Sequence, residues 1–256
     1  MGADPVELRI GARTDVGRVR TGNEDNFFVE ADARRGIFIV ADGMGGHAAG
    51  EVASEMAVQI VGQRLLTVGS VHEADAVPVL TGSLQEANRE IYQRMLAERD
   101  KQGMGTTASV LLISSAGFLI GQIGDSRVYL LRDGALTQLT RDHSYVQEQV
   151  DAGVLTPEQA RHHPYSNVIT RCVGSNDEVE VDVFTGPVRV GDLFLVASDG
   201  LTGMLDDGLI ARLLSANAGP GRKVDALIDE ANGHGGLDNI TAIVIEVVTA
   251  DEASDV

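Results

Sequence analysis

Apolar residues recur at two different periods along the chain, and each change of period marks a change of element. Glu7 to Thr14, Asn26 to Ala31 and Gly36 to Ala41 are short apolar or alternating runs set apart by Gly, Asp and Arg turns, which predicts three early strands. From Ala48 to Leu66 the spacing shifts to Val52, Met56, Ile60, Val61 and Leu65, one apolar face at helical period, and a second helical stretch runs from Ala74 to Asp100. The two-residue period returns in Thr107 to Ile113, Phe118 to Ile123 and Arg127 to Arg132, with Ser-Ser-Ala-Gly and Gly-Asp-Ser as turns, and is expected to form an antiparallel meander. Residues 142–174 carry weak helical signals and no long apolar run, as an irregular surface excursion does. Strands are expected again at Val179 to Phe184, Asp192 to Ala197 and Ile240 to Val248, with helices at Asp206 to Ser215 and Gly221 to Asn232. Strands and helices thus come in blocks, which favours α+β layering over a doubly wound parallel sheet. With no internal repeat and no low-complexity linker, residues 1–249 are expected to form one domain, followed by a loose acidic tail at 250–256.

Composition narrows the partners. The 256 residues carry a formal charge of −18, a sign that repels a phosphate backbone, so nucleic acid is not expected. Residues 102–124 contain no charge, but Thr106, Thr107, Ser109, Ser114, Ser115, Gly117 and Gln122 interrupt the run, so two strands around a turn are expected rather than a membrane span. Met1 to Arg13 lacks a basic region followed by an apolar run, so no secretory signal is expected. The single cysteine, Cys172, cannot form an internal disulfide and fits a reducing compartment, so a cytoplasmic setting is expected.

Candidate chemistry lies where strands end. Val40-Ala41-Asp42-Gly43, Ile123-Gly124-Asp125 and Val196-Ala197-Ser198-Asp199-Gly200 each put an aspartate just past an apolar strand, and Asp238 stands just before the last one. Any single Asp-Gly is an ordinary turn dipeptide. If several such strand ends meet at one rim, however, the carboxylates repel one another, and cations are the usual means of making such a cluster tolerable. Carboxylate and carbonyl oxygens are hard donors that suit Mg²⁺ or Mn²⁺. The glycine after Asp42 allows close approach, so the Gly43 carbonyl is a further candidate donor. A calcium-binding structural domain is disfavoured because the chain has no D-x-D-x-D-G loop. His47 reads either as a polar residue at a helix start or as part of the site.

Arg20 with Asn23-Glu24-Asp25-Asn26, Ala41-Asp42-Gly43-Met44-Gly45-Gly46-His47 through Gly50-Glu51, and Gly105-Thr106-Thr107 come first in the chain. Ile123-Gly124-Asp125-Ser126-Arg127, Ala197-Ser198-Asp199-Gly200-Leu201 and Asp238-Asn239-Ile240-Thr241 follow them. Together and in order they resemble the motifs of the metal-dependent type-2C Ser/Thr protein phosphatases, bacterial branch, over about Arg9 to Val247. The resemblance implies a four-layer αββα sandwich, two mainly antiparallel sheets flanked by helix pairs, with metals at one end. It implies hydrolysis of phosphoserine and phosphothreonine in proteins by a water bridging two core Mn²⁺ or Mg²⁺ ions, without a phosphoenzyme. Asp42 would bridge the two ions, the Gly43 carbonyl would bind one, and Asp199 and Asp238 would complete the other. Asp125 with Asp199 would offer a third site, Glu24 and Asp25 would act through metal-bound water, and Arg20 would hold the substrate phosphate, as suits a guanidinium that grips two oxygens in a plane. The excursion at 142–174 corresponds to the family's flap. A Ser/Thr kinase is the implied counterpart, and a monomer is expected. Many eukaryotic members place a general-acid histidine where this chain has Met44, so the general acid is unassigned, with a metal-bound water and His47 both open. Gly203 stands where some members carry an acid. A non-catalytic relative that binds phosphoproteins is the rival reading, and retention of every core carboxylate argues against it.

Overall fold

The structure is a computed structural model that describes residues 6–32, 35–45 and 49–249. His47 and the acidic segment 250–256 lie outside the described residues.

The first block is β1 (Val6–Asp15), β2 (Asp25–Ala31) and β3 (Arg35–Met44), followed by the helices α1 (Ala49–Leu65) and α2 (Ala76–Ala97). Next come β4 (Gly105–Thr106), β5 (Ala108–Ser114), β6 (Gly117–Ile123), β7 (Arg127–Arg132) and β8 (Ala135–Gln138). The excursion holds two short helices, α3 (Tyr145–Asp151) and α4 (Pro157–Arg161). The chain closes with β9 (Asp182–Gly186), β10 (Leu193–Ala197), α5 (Asp199–Thr202), α6 (Asp207–Leu214), α7 (Pro220–Gly233) and β11 (Ile240–Thr249).

Two antiparallel sheets result, one in the order β1-β11-β10-β7-β8 and the other β2-β3-β5-β6-β9, with β4 on β3. Side chains alternate across a strand, so each strand divides its apolar residues between two layers. In β3, Ile37 and Ile39 join Ala53, Ala57, Leu80 and Leu84 of α1 and α2, whereas Phe38 and Val40 join the layer between the sheets. In β10, Leu193 and Leu195 pack with Leu227 and Ile228 of α7, whereas Phe194 and Val196 face the other sheet. Phe118 and Phe194 meet across that layer edge to face, with centroids 5.5 Å apart. The order of layers is therefore helix pair, sheet, sheet, helices, as expected.

The expected meander over β5, β6 and β7 is corrected. β5 and β6 form a hairpin, but β7 leaves it for the other sheet, between β10 and β8, while β9 takes the free side of β6. The turn between β6 and β7 contains Gly124 at φ +100°, where a Cβ would lie 2.6 Å from the Thr107 side chain, so only glycine fits there. The predicted strand and turn over residues 102–124 hold, and among the described residues no helix is long and apolar enough to cross a membrane.

Candidate metal centre

The layer between the sheets is apolar through most of its length and becomes polar at one end. Following each strand's inward-facing parity shows how. In β2 it runs Val29, Phe27, Asp25; in β3, Phe38, Val40, Asp42; in β5, Ile113, Leu111, Ser109; in β6, Phe118, Ile120, Gln122. In β10 it passes from Phe194 and Val196 to Ser198, and in β11 from Ile245 and Ile243 to Thr241. Asp25, Ser109, Gln122, Ser198 and Thr241 are all buried, so the strands change from hydrocarbon to oxygen and nitrogen while still inside the sandwich. Buried polar groups need partners. Ser109 Oγ donates to Gln122 Oε1 at 2.7 Å, and Gln122 Nε2 donates to the carbonyls of Gly124 and Ser126 at 3.0 and 2.7 Å, which braces the turn bearing Asp125. The Thr107 hydroxyl accepts from the Asp42 backbone N–H at 2.9 Å and meets Ser126 Oγ at 2.7 Å, and Thr106 Oγ1 donates to the Asp42 carbonyl.

The acids converge on this end. Asp25 and Asp42 are directly opposed in the β2–β3 ladder, so their side chains share a face. Asp199 starts α5 immediately after β10, and Asp238 precedes β11. These two meet because Gly200 has no side chain: a Cβ there would lie 1.9 Å from the Asn239 carbonyl oxygen. Gly43 is equally enclosed, since a Cβ would fall 2.1 Å from the Gly50 carbonyl oxygen, at the start of α1. Asn239 ties the loop carrying Arg20 to the same place. Its amide donates to the carbonyls of Val16 and Gly22, and its Oδ1 accepts from the Glu24 N–H at 2.8 Å. Arg20 reaches Asp238 Oδ2 at 2.7 Å.

Electrostatics show the strain of this gathering. Enclosure first, then the charges of Asp25, Asp199 and Asp125, hold the Asp42 carboxyl well above the usual carboxylate range. Asp125 is raised by burial and by Asp199 and Asp142, against the pull of Arg127. Asp199 is raised by burial and by the charge of Asp238, against the neighbouring Asp42 carboxyl and the charges of Arg127 and Arg20. Burial pushes Asp25 up to about 7, although the hydroxyls of Thr241 and Ser198 oppose it. Burial also raises Glu24, with Arg20 and the Gly50 N–H acting the other way.

Among the described residues no three acids, histidines or cysteines stand as a ready-made cage. Asp42 and Asp199 are neighbouring carboxyls both raised above their ordinary value, and Asp238 is paired with Arg20, as expected of crowded carboxylates. The donor set nevertheless fits a hard cation. Asp25 Oδ1, Asp125 Oδ1 and Asp199 Oδ1 are buried without a hydrogen-bond partner, and the charge of Asp199 acts on both of the other carboxyls. Beside them opens a cleft of about 860 Å³, floored by Asp125, Asp199 and Asp238 and walled by Ser144, Pro157 and Arg161 of the excursion. The excursion is held there by capped helices: Ser144 accepts from Gln147 N, and Thr156 forms a capping box with Gln159. The hydroxyl and amide residues of the polar end, Ser198, Thr241, Thr107 and Gln122, received no role from sequence. Continuing the inward parity of each strand beyond its last apolar residue is the signal that would have found them.

A family model described as protein phosphatase 2C matches residues 18–216. The chain belongs to this family. It is 41% identical over 236 residues to the serine/threonine phosphatase Stp of Listeria innocua, covering 91% of this chain and 94% of that protein. The crystal structure of the Mycobacterium tuberculosis serine/threonine phosphatase PstP/Ppp superposes with a TM-score of 0.86 at 39% identity, covering 94% of this chain and 99% of that one. A second structure, the catalytic domain of PstP in complex with two manganese ions, superposes with a TM-score of 0.84 at 38% identity, covering 95% of this chain and 99% of that one. As a protein phosphatase 2C member, the chain is a Ser/Thr protein phosphatase, a hydrolase of phosphate monoesters.

Proposed function

We propose that residues 1–249 act as one catalytic unit that removes phosphate from phosphoserine and phosphothreonine by direct attack of water on phosphorus, without a phosphoenzyme. The observation that carries this reading is the set of orphaned, buried carboxylate oxygens on Asp25, Asp125 and Asp199 at the polar end of the sandwich. That the PstP relative holds two manganese ions supports the same reading for this chain. Asp42, the Gly43 carbonyl, Asp199 and Asp238 would hold two Mn²⁺ or Mg²⁺ ions, Asp125 with Asp199 a third, and Glu24 and Asp25 would act from the outer shell. When bound, such ions lower the pKa of water and neutralise charge on the transferring phosphoryl group.

The chain's own residues do the rest. Arg20 is half-exposed with its guanidinium on Asp238, so phosphate oxygens can replace that carboxylate in a planar two-point grip. The apolar layer behind Asp25 and Asp42 keeps water from the rear of the centre, which strengthens every charge interaction within it. No side chain is assigned as general acid. The substrates are phosphoproteins, the natural counterpart is a Ser/Thr kinase, and the protein works as a cytoplasmic monomer. Hydrolysis of a phosphothreonine peptide with and without Mn²⁺ tests the reading: Asp42→Ala and Asp199→Asn should remain folded and lose Mn²⁺-dependent turnover. Near-normal turnover in both variants overturns it.

A further inference from the structure

The two halves of the acidic centre come from different sheets. Asp25 and Asp42 stand on β2 and β3, whereas Asp199 and Asp238 flank β10 and β11 in the other sheet. Apolar packing is non-directional, so hydrocarbon contacts alone do not fix where an individual oxygen stands. Oxygen ligands must be placed to a few tenths of an ångström.

A directed polar connection crosses the gap at this end. Ser198 Oγ and Thr241 Oγ1 both donate to Asp25 Oδ2, each at 2.7 Å. Both hydroxyls are themselves fixed. Ser198 Oγ accepts from the Thr241 N–H at 3.0 Å, and the Ser198 N–H donates to the Thr241 carbonyl at 3.1 Å, locking the ends of β10 and β11 together. Because Thr241 gives its proton to Asp25, its 2.8 Å contact with Thr14 must be a bond donated by Thr14. Asn23 Nδ2 then donates to Thr14 Oγ1 at 2.8 Å, and Asn23 Oδ1 accepts from the Asp25 N–H at 3.1 Å, which closes a ring. Every member from Asn23 to Asp25 has a defined direction. The clamp saturates one oxygen of Asp25 and leaves the other, Oδ1, buried and without a partner. It also sits one residue from Asp199 and, through Asn239 and Ile240, close in sequence to Asp238.

We propose that Ser198 and Thr241 are positioning residues whose hydroxyls, closing on Asp25 Oδ2, fix the spacing between the acidic half-sites of the two sheets and so set the metal affinity of the centre. The inference rests on the function proposed above. Removing either hydroxyl leaves the ligands in place but frees Asp25 to rotate and the sheets to drift at this end, so affinity falls while the residues that meet the phosphate are untouched.

Calorimetric titration of the metal-free full-length protein with Mn²⁺ tests this, alongside the Mn²⁺ dependence of phosphopeptide turnover. Ser198→Ala and Thr241→Val should each weaken Mn²⁺ binding by about tenfold or more, the range found when partners of metal ligands are removed. kcat at saturating Mn²⁺ should recover to within a few-fold of wild type, and Thr241→Ser, which keeps the hydroxyl, should restore the affinity. Val247→Ala, in the same inter-sheet layer away from the polar end, controls for general loosening and should leave Mn²⁺ binding unchanged. If Thr241→Val does not fold, Ser198→Ala decides the matter alone. Unchanged Mn²⁺ affinity in Ser198→Ala, or an equal loss in Val247→Ala, overturns the clamp while leaving the phosphatase reading intact. Failure of the wild-type protein to bind Mn²⁺ overturns both.

Discussion

Raising the pH of the metal-free protein should destabilise it, contrary to the usual behaviour of folded carboxylates. Asp25 is displaced from an ordinary value of 3.8 to about 7, with burial as the first cause. Between those values the folded protein holds a proton that the unfolded chain has released, so unfolding becomes easier as pH rises through the window. At about 1.4 kcal/mol per pKa unit the full effect is about 4 kcal/mol, and about 3 kcal/mol of it develops between about pH 5 and about pH 8. Asp42, Asp125 and Asp199 are displaced in the same direction and add to the slope. His143 is displaced downward by burial and acts oppositely near its ordinary value of 6.5, so a single-protein curve would mix the two. The difference between wild type and Asp25→Asn removes that contribution. Urea unfolding in the presence of a chelator, at several pH values, should show the wild type losing about 3 kcal/mol relative to Asp25→Asn across the window. Saturating Mn²⁺ should abolish the loss, because ligation favours the ionised carboxylates. Parallel stability curves for the two proteins would refute the picture of a carboxylate held out of its ordinary range by burial.

Other perturbations separate function from stability. Asp42→Asn should lower Mn²⁺-dependent phosphopeptide turnover by at least about a thousandfold, yet raise metal-free stability near neutral pH by relieving repulsion from Asp25, Asp199 and Asp125. Both are read from one preparation by turnover assay and thermal melt. Gly200→Ala places a methyl group 1.9 Å from the Asn239 carbonyl, a backbone contact that cannot yield cheaply. It should cost about 3 kcal/mol in urea unfolding and weaken Mn²⁺ binding by separating Asp199 from Asp238. Phe194→Ala, which removes the ring set edge to face on Phe118, should cost about 3–5 kcal/mol in the same unfolding experiment.

Much of this molecule is legible in its sequence because its strands are long enough to show alternation and its helices long enough to show one face. The pairs Ile37/Phe38 and Ile39/Val40 already divide the helix-facing from the sheet-facing residues of β3. The destination of β7 was not legible, because Gly-Asp-Ser after β6 looks like a hairpin turn, and only packing of Val128 and Leu130 against Phe194 and Val196 takes it to the other sheet. β8 and α5, at 4 residues each, are too short to carry a period. Aspartates at strand ends could be read singly, but their meeting depends on close approaches such as Gly200 on Asn239, which join residues far apart in sequence. Ser198 and Thr241 belong to the family motifs but carry no role of their own there. Their place opposite Asp25 follows from how the two sheets are stacked, which no local pattern records.

The proposed cation-binding centre draws acids from both sheets at the polar end of the sandwich. Anomalous diffraction at the manganese edge, from crystals grown with Mn²⁺, tests it most directly. Two strong peaks should appear within about 2.0–2.6 Å of oxygens from Asp42, Gly43, Asp199 and Asp238. Manganese bound only elsewhere on the molecule, with Asp238 still paired to Arg20, would contradict it.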